Sequence, residues 1–385
     1  MQPNRASSWV LRLLVVASGC APALAEAPAA PDASAAERPF LARVRQLTFE
    51  GRRAGEGYFS PDGQRLVFQS EREPGNPFFQ IYLLDFTTGD TTRISPGWGK
   101  TTCSFFRPGT DEILFSSTHH DPASRDRQRT ELEARAAGTE RRYGWDYDPE
   151  MEIYVARPGK DEPARLTNVR GYDAEGSYSP DGAWIVFASN REAYTRELPG
   201  DAARRLETDP AYFVDLYMMR ADGTGVRRLT ETPGYDGGPF FLPDGRRILW
   251  RRFDEAGLIA DIWTARVDGA DARRITDFRS MSWAPYAHPS GAYIVFTSNK
   301  LGFENFELFV VDVEGQKEPV RITYSPGFDG LPVPSPDGKR IAWTSTRHGQ
   351  DKGQLYLADW NHEAVLQALA AAPPRAAATK TEAKP

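Results

Sequence analysis

Three aspartates recur in the same local sequence pattern and could form a binding site. Asp173, Asp236 and Asp329 each follow a glycine and an aromatic residue, and each lies seven residues before a proline. A further copy of the pattern has Ser282 at this position, beside Trp283. Two interpretations stay open. Either the carboxylates form an acidic ring that binds a ligand, or each one caps a turn through bonds to backbone N–H groups.

Basic side chains recur at a second position, where short apolar segments end. They are Arg72, His119, His120, Arg191, Arg251, Arg252, Lys300, Arg347 and His348. Such groups bind carboxylates, peptide termini and anionic sugars through charge-assisted hydrogen bonds, but they could also pair with the aspartates or be solvated. The predicted ligand-binding residues are Asp173, Asp236, Asp329, Arg191, Arg251, Arg252, Lys300, Arg347, His348 and Trp283.

The sequence lacks the common catalytic and metal-binding motifs. It contains neither Gly-x-Ser-x-Gly, the nucleophile elbow of serine hydrolases, nor His-Glu-x-x-His, the zinc-peptidase motif. His119, His120 and Asp121 are adjacent, and the side chains of sequence neighbours seldom converge on one metal ion. We therefore predict no catalytic residues, no metal site and no cofactor.

A repeated turn indicates which elements position these residues. Ser60-Pro61-Asp62-Gly63 is followed by the apolar run Leu66–Phe68. Proline presets the backbone angle of the first central residue of the turn, aspartate bonds the local backbone, and glycine tolerates the exit geometry. The flanking apolar residues indicate two strands that the turn joins. Further copies are centred on Pro108, Pro180, Pro243, Pro289 and Pro336.

A second repeated segment, resembling Arg-x-Leu-Thr, shows that each unit holds four strands. Its Leu or Ile always lies 14 residues before the next turn proline, in the pairs Leu47–Pro61, Ile94–Pro108, Leu166–Pro180, Leu229–Pro243, Ile275–Pro289 and Ile322–Pro336. Four strands in roughly 46 residues are the signature of propeller blades. The predicted fold is therefore all-β, a six-bladed β-propeller of four-stranded blades.

The chain ends predict how the ring closes. The sixth unit reaches its third strand at Leu355 but has no fourth, whereas Val44 to Phe49 is a fourth strand without a unit of its own. We predict that this N-terminal strand completes the last blade, because the pairing would remove an exposed sheet edge.

Strand direction sorts the loops into two faces. One face carries the Pro-Asp-Gly turns. The other, here called the insertion face, carries the loops between the second and third strands and the connections between blades. Both long insertions, at about 119–150 and 191–213, fall on the insertion face together with the aspartates and the basic residues. Variation on a repeated scaffold usually marks the binding side.

Composition and the chain ends indicate an exported protein. Residues 1–25 have the charge and apolar pattern of a signal peptide, and the apolar run is too short to cross a membrane. The alternative is a lipoprotein signal, with Cys20 as the lipidation candidate. The net charge of −6 argues against nucleic-acid binding. We expect a disordered linker over residues 26–40, the propeller over 41–362, and a short helix with a disordered tail over 363–385.

These repeats resemble the propeller repeats of the TolB family of periplasmic proteins over about residues 44–360. TolB also has an N-terminal α/β domain, for which the segment before the first strand is too short. Similar propellers precede the hydrolase domain of prolyl-oligopeptidase-like enzymes. The resemblance implies a non-catalytic propeller in the periplasm that binds an envelope protein or peptide. We expect a monomer, which carries a lipid anchor if Cys20 is lipidated. The alternatives are a propeller lyase or hydrolase acting on a sugar polymer, and a stand-alone gating module of a propeller-peptidase.

Overall fold

The computed structural model describes residues 33–139, 147–160, 162–349 and 352–375. Within them the chain forms six antiparallel sheets of four strands. In chain order the strands are β1 (Leu41–Gln46), β2 (Ala54–Phe59), β3 (Arg65–Ser70), β4 (Gln80–Asp85), β5 (Thr91–Arg93), β6 (Thr101–Phe106), β7 (Ile113–Ser117), β8 (Glu152–Ala156), β9 (Ala164–Arg165), β10 (Ala174–Tyr178), β11 (Trp184–Ser189), β12 (Asp215–Arg220), β13 (Arg227–Arg228), β14 (Asp236–Phe241), β15 (Arg247–Phe253), β16 (Ala260–Arg266), β17 (Arg273–Arg274), β18 (Ser282–Ala287), β19 (Tyr293–Ser298), β20 (Glu307–Asp312), β21 (Val320–Arg321), β22 (Asp329–Pro334), β23 (Arg340–Ser345) and β24 (Gln354–Trp360).

The helices lie outside the sheets. They are α1 (Ala33–Glu37), α2 (Ser124–Ala136), α3 (Glu192–Thr195), α4 (Gly200–Thr208), a 3₁₀ helix (Pro210–Phe213) and α5 (His362–Ala371). Helices α2 to α4 belong to the two insertions of the insertion face. None of the helices in the described ranges is long and apolar enough to cross a bilayer.

The sheets are the blades of a six-bladed propeller, which confirms the predicted fold. Five blades are continuous in sequence, from β2–β5 to β18–β21, and the sixth has the strand order β1-β24-β23-β22. In that blade Leu41 lies opposite Trp360, and Gln46 lies opposite Tyr356. The N-terminal strand therefore closes the last blade, as predicted.

The Pro-Asp-Gly turns are held by their own polar side chains. In the first blade the Ser60 hydroxyl donates to Asp62 Oδ1 over 2.5 Å and accepts the backbone N–H of Arg65 over 2.9 Å. Asp62 also accepts the backbone N–H of Gln64. The positive φ of 68° at Gly63 is a conformation that side-chain-bearing residues disfavour, which explains the glycine.

The recurring Thr or Ser that lies two residues past each fourth strand satisfies one backbone donor of the third strand in every blade. Its hydroxyl accepts the N–H of a residue near the start of the third strand at 2.8–2.9 Å, in the pairs Ser95–Ile81, Thr167–Ile153, Thr230–Leu216, Thr276–Ile262, Thr323–Leu308 and Thr48–Leu355. Because a buried donor without a partner is costly, these bonds explain why the Arg-x-Leu-Thr segment repeats.

Second-strand and third-strand side chains make up the larger part of the core, and innermost-strand residues such as Tyr58 and Val333 add to it. Every blade contains one pair of aromatic rings from these two strands, at centroid distances of 5.8–6.4 Å. The pairs are Phe68–Tyr82, Phe115–Tyr154, Phe187–Tyr217, Trp250–Trp263, Phe296–Phe309 and Trp343–Tyr356. They give each blade a similar buried thickness, so the blades pack as a ring.

The described part of residues 26–40 differs from the expected disordered linker. Residues 33–37 form α1, and Glu37 is buried because its carboxylate binds Arg347 and the backbone N–H of Tyr324. Past α5, residues 372–375 are also ordered: Arg375 donates its backbone N–H to Gln316 O over 2.8 Å. The predicted signal peptide, Cys20 and residues 376–385 lie outside the described residues.

Candidate functional site

A β-bulge in each innermost strand places one residue at the central channel. All six inner strands shift register near the insertion face, and the residue within each shift has a positive φ between 49° and 59°. The six residues are Glu56, Cys103, Glu175, Gly238, Ala284 and Leu331, here called the bulge ring. Side-chain-bearing residues seldom adopt this conformation, and bulges of this kind often re-aim side chains at functional sites.

The bulge ring surrounds a cavity of about 140 Å³ at the insertion-face end of the channel. Four aromatic side chains lie next to it on the side of the Pro-Asp-Gly turns. Tyr58 packs on Phe105, Phe240 and Tyr286 at centroid distances of 5.3–6.1 Å. These rings form an apolar floor, and the wall toward the insertion face includes Lys100 and Trp283.

Glu175 is the cavity carboxylate that is paired with a cation of the protein. Arg251 Nη2 donates to Glu175 Oε1 over 2.6 Å, the Tyr235 hydroxyl donates to the same oxygen over 2.6 Å, and the Gly238 N–H donates to Oε2 over 2.6 Å. Burial disfavours the charged guanidinium, but Glu175 attracts it strongly enough to raise the pKa of Arg251. The pair therefore spans the third and fourth blades as a charge-neutral unit.

Glu56 is the carboxyl group whose bonds are to neutral partners. It accepts a hydrogen bond of 3.2 Å from the Tyr58 hydroxyl, and the Cys103 thiol favours its charged form. Its side chain is half-buried and lines the cavity. Desolvation is the main cause that raises its pKa to about 7. Desolvation and the nearby Glu56 carboxylate likewise raise the pKa of Cys103 well above its ordinary range, so the thiol is a weak nucleophile.

Some polar atoms of the cavity wall have no hydrogen-bond partner among the described residues. They are Ser104 Oγ, Arg251 Nε and Trp283 Nε1. Buried polar groups in proteins are nearly always bonded, so unbonded ones mark a place where a ligand or water can bind.

The structure places the predicted acidic residues deeper than an open ring would require. Asp173, Asp236 and Asp329 are fully buried, and each already binds an arginine. Arg252 holds Asp236 with two bonds of 2.7 Å, and Trp250 Nε1 adds a third of 3.0 Å. A buried carboxylate needs such compensation, which is why these acids are internal partners instead of an acidic mouth.

The other two aspartates follow the same arrangement. Arg191 binds Asp173, and Arg347 Nη2 donates to Asp329 Oδ2 over 2.8 Å. Burial raises the pKa of Asp173 despite the opposing effect of Arg191. Arg191, Arg252 and Arg347 also lie over the aromatic pair of their own blade, at 4.6–5.7 Å from the ring centroids.

These contacts change the interpretation of the basic residues. The sequence left open whether Arg191, Arg251, Arg252 and Arg347 bind a ligand or pair with internal acids. In the structure the guanidinium group of each one pairs with an internal carboxylate. A cation that ends the second strand recurs because it covers an aromatic pair and balances a buried acid. Lys300 is exposed, with Nζ 3.8 Å from the Phe278 centroid, and His348 is an exposed residue with a φ of 67°. Of the ten predicted residues, Arg251 and Trp283 line the cavity.

Sequence reasoning missed the three polar members of the bulge ring, although a signal for them exists. Glu56, Cys103 and Glu175 each lie five residues before a turn proline, as do the other three members of the ring. The residue types at this position differ from blade to blade, so no repeated side-chain chemistry marks it in the sequence.

The fold and this channel define a six-bladed β-propeller with a cavity at one end of its axis. Its architecture is TolB-like. A putative TolB from Agrobacterium tumefaciens matches with a TM-score of 0.54 and 21% identity, over 82% of this chain and 94% of that one. TolB from Acinetobacter baumannii matches with a TM-score of 0.52 and 15% identity, over 80% and 64%. An oligogalacturonate lyase from Vibrio parahaemolyticus has a TM-score of 0.51 and 13% identity, over 83% and 94%.

The match found by sequence comparison covers a smaller part of the chain than the structural matches do. No protein-family model matches the chain. An uncharacterized protein of Agrobacterium fabrum is 39% identical over 107 residues, which are 28% of this chain and 30% of that protein. The match therefore spans less than a third of the relative's length. At these identities the solved structures establish the fold and leave the activity open.

Proposed function

We propose that this protein is an exported, non-catalytic propeller that binds a protein or peptide partner at the bacterial cell envelope through its insertion face. The observation that carries the proposal is the distribution of exposed large apolar side chains. Among the described residues they are Val44, Phe49, Leu132, Val226, Leu258, Leu301 and Phe303. By strand direction, all but Val44 and Val226 lie on the insertion face.

The most exposed of these side chains stand on three different loops of the insertion face. Phe49 is 74% exposed on the connection into the first blade, Leu258 is 67% exposed on the fourth blade, and Phe303 is 74% exposed on the fifth. Exposed apolar side chains on one face of a protein are typical of protein or peptide interfaces. The cavity would then accept one side chain of the partner.

Export is supported by the signal-like residues 1–25 and by the TolB-like fold. The protein should fractionate with the periplasm or the envelope. If Cys20 is lipidated, a Cys20→Ser variant should move from the membrane to the soluble periplasmic fraction. Native protein in the cytoplasm with Met1 still present would contradict export.

The binding face can be tested by crosslinking pull-down from envelope extract. A Leu301→Ser/Phe303→Ser variant should lose at least tenfold in captured partner, while its melting temperature stays unchanged. A Val226→Ser variant, on the opposite face, is the matched control and should capture normally. Equal capture by both variants, or protection mapped to the Pro-Asp-Gly face, would overturn the proposal.

One observation favours a second candidate, an enzyme that acts on a sugar polymer. The pKa of Glu56 is raised to about 7 inside a cavity, and a carboxyl group with such a pKa can donate and accept protons near neutral pH. An assay of chain cleavage on acidic and neutral polysaccharides separates the two candidates. Turnover that a Glu56→Gln variant abolishes would establish the enzyme.

A further inference from the structure

The two carboxyl groups of the cavity, Glu56 and Glu175, differ in their charged partners, and this difference points to a specific ligand group. Glu175 is bonded to Arg251, whereas no ion pair to Glu56 is found in the described part of the chain. Arg251 is the cation that acts on Glu56, but its guanidinium is held by Glu175. Lys100, at the wall, is engaged by the Tyr147 carbonyl at 3.0 Å and by Asp148 at 3.5 Å. Among the described residues, Glu56 is thus a carboxyl group without an ion pair to a cation.

The walls around Glu56 suit a cation as well. Tyr58, Phe79, Tyr172, Phe240 and Trp283 line the cavity. The faces of aromatic rings carry partial negative charge and attract ammonium groups, most strongly where water is excluded. An aromatic enclosure with a carboxylate at one point offers both attractions together.

The size of the cavity limits what can enter. Its volume of about 140 Å³ is close to that of cavities of roughly 150 Å³ that hold one benzene molecule. A linear aminoalkyl chain such as the lysine side chain fits this volume. The cavity therefore accepts the end of a single side chain.

We propose that the cavity binds a primary ammonium group, with Glu56 as its counter-ion and the aromatic walls around its alkyl chain. This proposal deepens the proposed function and rests on it for the assumption that a protein or peptide carries the ammonium. The two sources of that group are a lysine side chain and an amino terminus, and they differ in the length of alkyl chain that enters.

Binding should depend on pH in a defined direction. Besides Glu56, the titratable and charged groups that line the cavity are Tyr58, Lys100, Cys103, Tyr172, Glu175 and Arg251. The pKa values of Tyr58 and Cys103 are raised by burial, so both stay neutral between pH 5 and 8. Glu56 ionises in this range, and an ammonium group binds its ionised form. Affinity should rise by up to about tenfold per pH unit below pH 7, with release of a proton on binding.

The experiment is calorimetric titration of the full mature chain with small amines. Nα-acetyl-lysine-N-methylamide presents the lysine side chain, glycinamide presents an amino terminus, and Nα-acetyl-norleucine-N-methylamide is the uncharged isostere of the first. We expect the lysine probe to bind at least tenfold more tightly than the norleucine probe at pH 8. If glycinamide binds instead, the source is an amino terminus. Titration at pH 6.5 in buffers of different ionisation enthalpy measures the released proton.

Two variants make the result specific. Glu56→Gln keeps the shape and removes the charge, so it should lose the preference for the amine and the proton release. Glu255→Gln, an exposed residue of the same face, is the matched control and should behave as the wild type. Circular dichroism checks that both variants fold. Equal binding of the lysine and norleucine probes, or of the wild type and folded Glu56→Gln, would overturn the inference. Because partner capture tests the proposed function separately, either proposal can fail alone.

Discussion

The Thr48 hydroxyl donates to Gln354 Oε1 over 2.7 Å, although the two residues are 306 positions apart in the chain. The same hydroxyl accepts the backbone N–H of Leu355 over 2.9 Å. This pair repeats in the closing blade what Ser95 and Gln80 do in the first blade, where the corresponding bond is 2.7 Å. The N-terminal strand is therefore an ordinary fourth strand whose covalent connection lies at the other end of the chain.

A Thr48→Val variant should lower the free energy of unfolding by about 1–3 kcal/mol. The methyl group keeps the volume, but the N–H of Leu355 and the amide of Gln354 lose their partner in a buried place. Urea denaturation measures the change, and Thr92→Val on an exposed outer strand is the control, with an expected change near zero.

Deleting residues 41–50 should remove most of the stability. A deletion protein that melts with the parent would contradict the closure.

An Asp236→Ala variant should lower the free energy of unfolding by about 3–5 kcal/mol, because it leaves the largely shielded Arg252 without its counter-ion. Asp268→Ala, which removes an exposed partner of Arg266, is the control and should leave the stability close to that of the wild type. Thermal and urea denaturation test both. Loss of partner capture by a fully stable Asp236→Ala protein would instead support the interpretation of this aspartate as a ligand contact.

Glu56 should make the protein less stable as the pH rises. Its pKa is raised from 4.5 to about 7 in the folded state, so between these values the folded protein binds more protons than the unfolded chain. Stability contributed by the neutral carboxyl is complete below about pH 4.5 and is lost by about pH 7. Relative to the wild type, Glu56→Gln should therefore gain stability at pH 8 compared with pH 5.

The size of that gain follows from about 1.4 kcal/mol per pKa unit, which gives at most ~3 kcal/mol. Urea titrations of both proteins at pH 5 and pH 8 measure it, with Glu255→Gln as the control. An identical pH dependence of the wild type and Glu56→Gln would show that Glu56 is solvated in the folded protein.

The periodic parts of the structure could be predicted from sequence because each blade solves the same packing problem. The turn proline recurs in every blade, as does a hydroxyl equivalent to that of Thr48, which serves one backbone role throughout. The spacing of these residues alone predicts the strands and the closure. The short helix that places Glu37 against Arg347 has no such repetition, and its composition alone resembles a linker.

The site was less predictable because burial, rather than residue type, decides what a charge does. Arg252 and Asp236 have the composition of an exposed binding surface, yet in the structure they pair with each other inside the blade. Glu56 and Cys103 gain their chemistry from a bulge that turns them into the channel. The bulge depends on backbone pairing across two strands, which a reading of single residues does not reveal.

Cys103 should react slowly with alkylating reagents in the folded protein. Its side chain is buried in the cavity wall, and desolvation together with the carboxylates of Glu56 and Glu175 raises the pKa of its thiol, so little thiolate exists at pH 8. We expect iodoacetamide to modify Cys103 at least tenfold more slowly in buffer than in urea, as followed by mass spectrometry of the peptide that contains it.

Glu56→Gln should accelerate the native reaction because it removes one of the two carboxylates. A native rate equal to the rate in urea would mean that the cavity is open to solvent, and an unchanged rate in Glu56→Gln would mean that Glu56 and Cys103 do not interact.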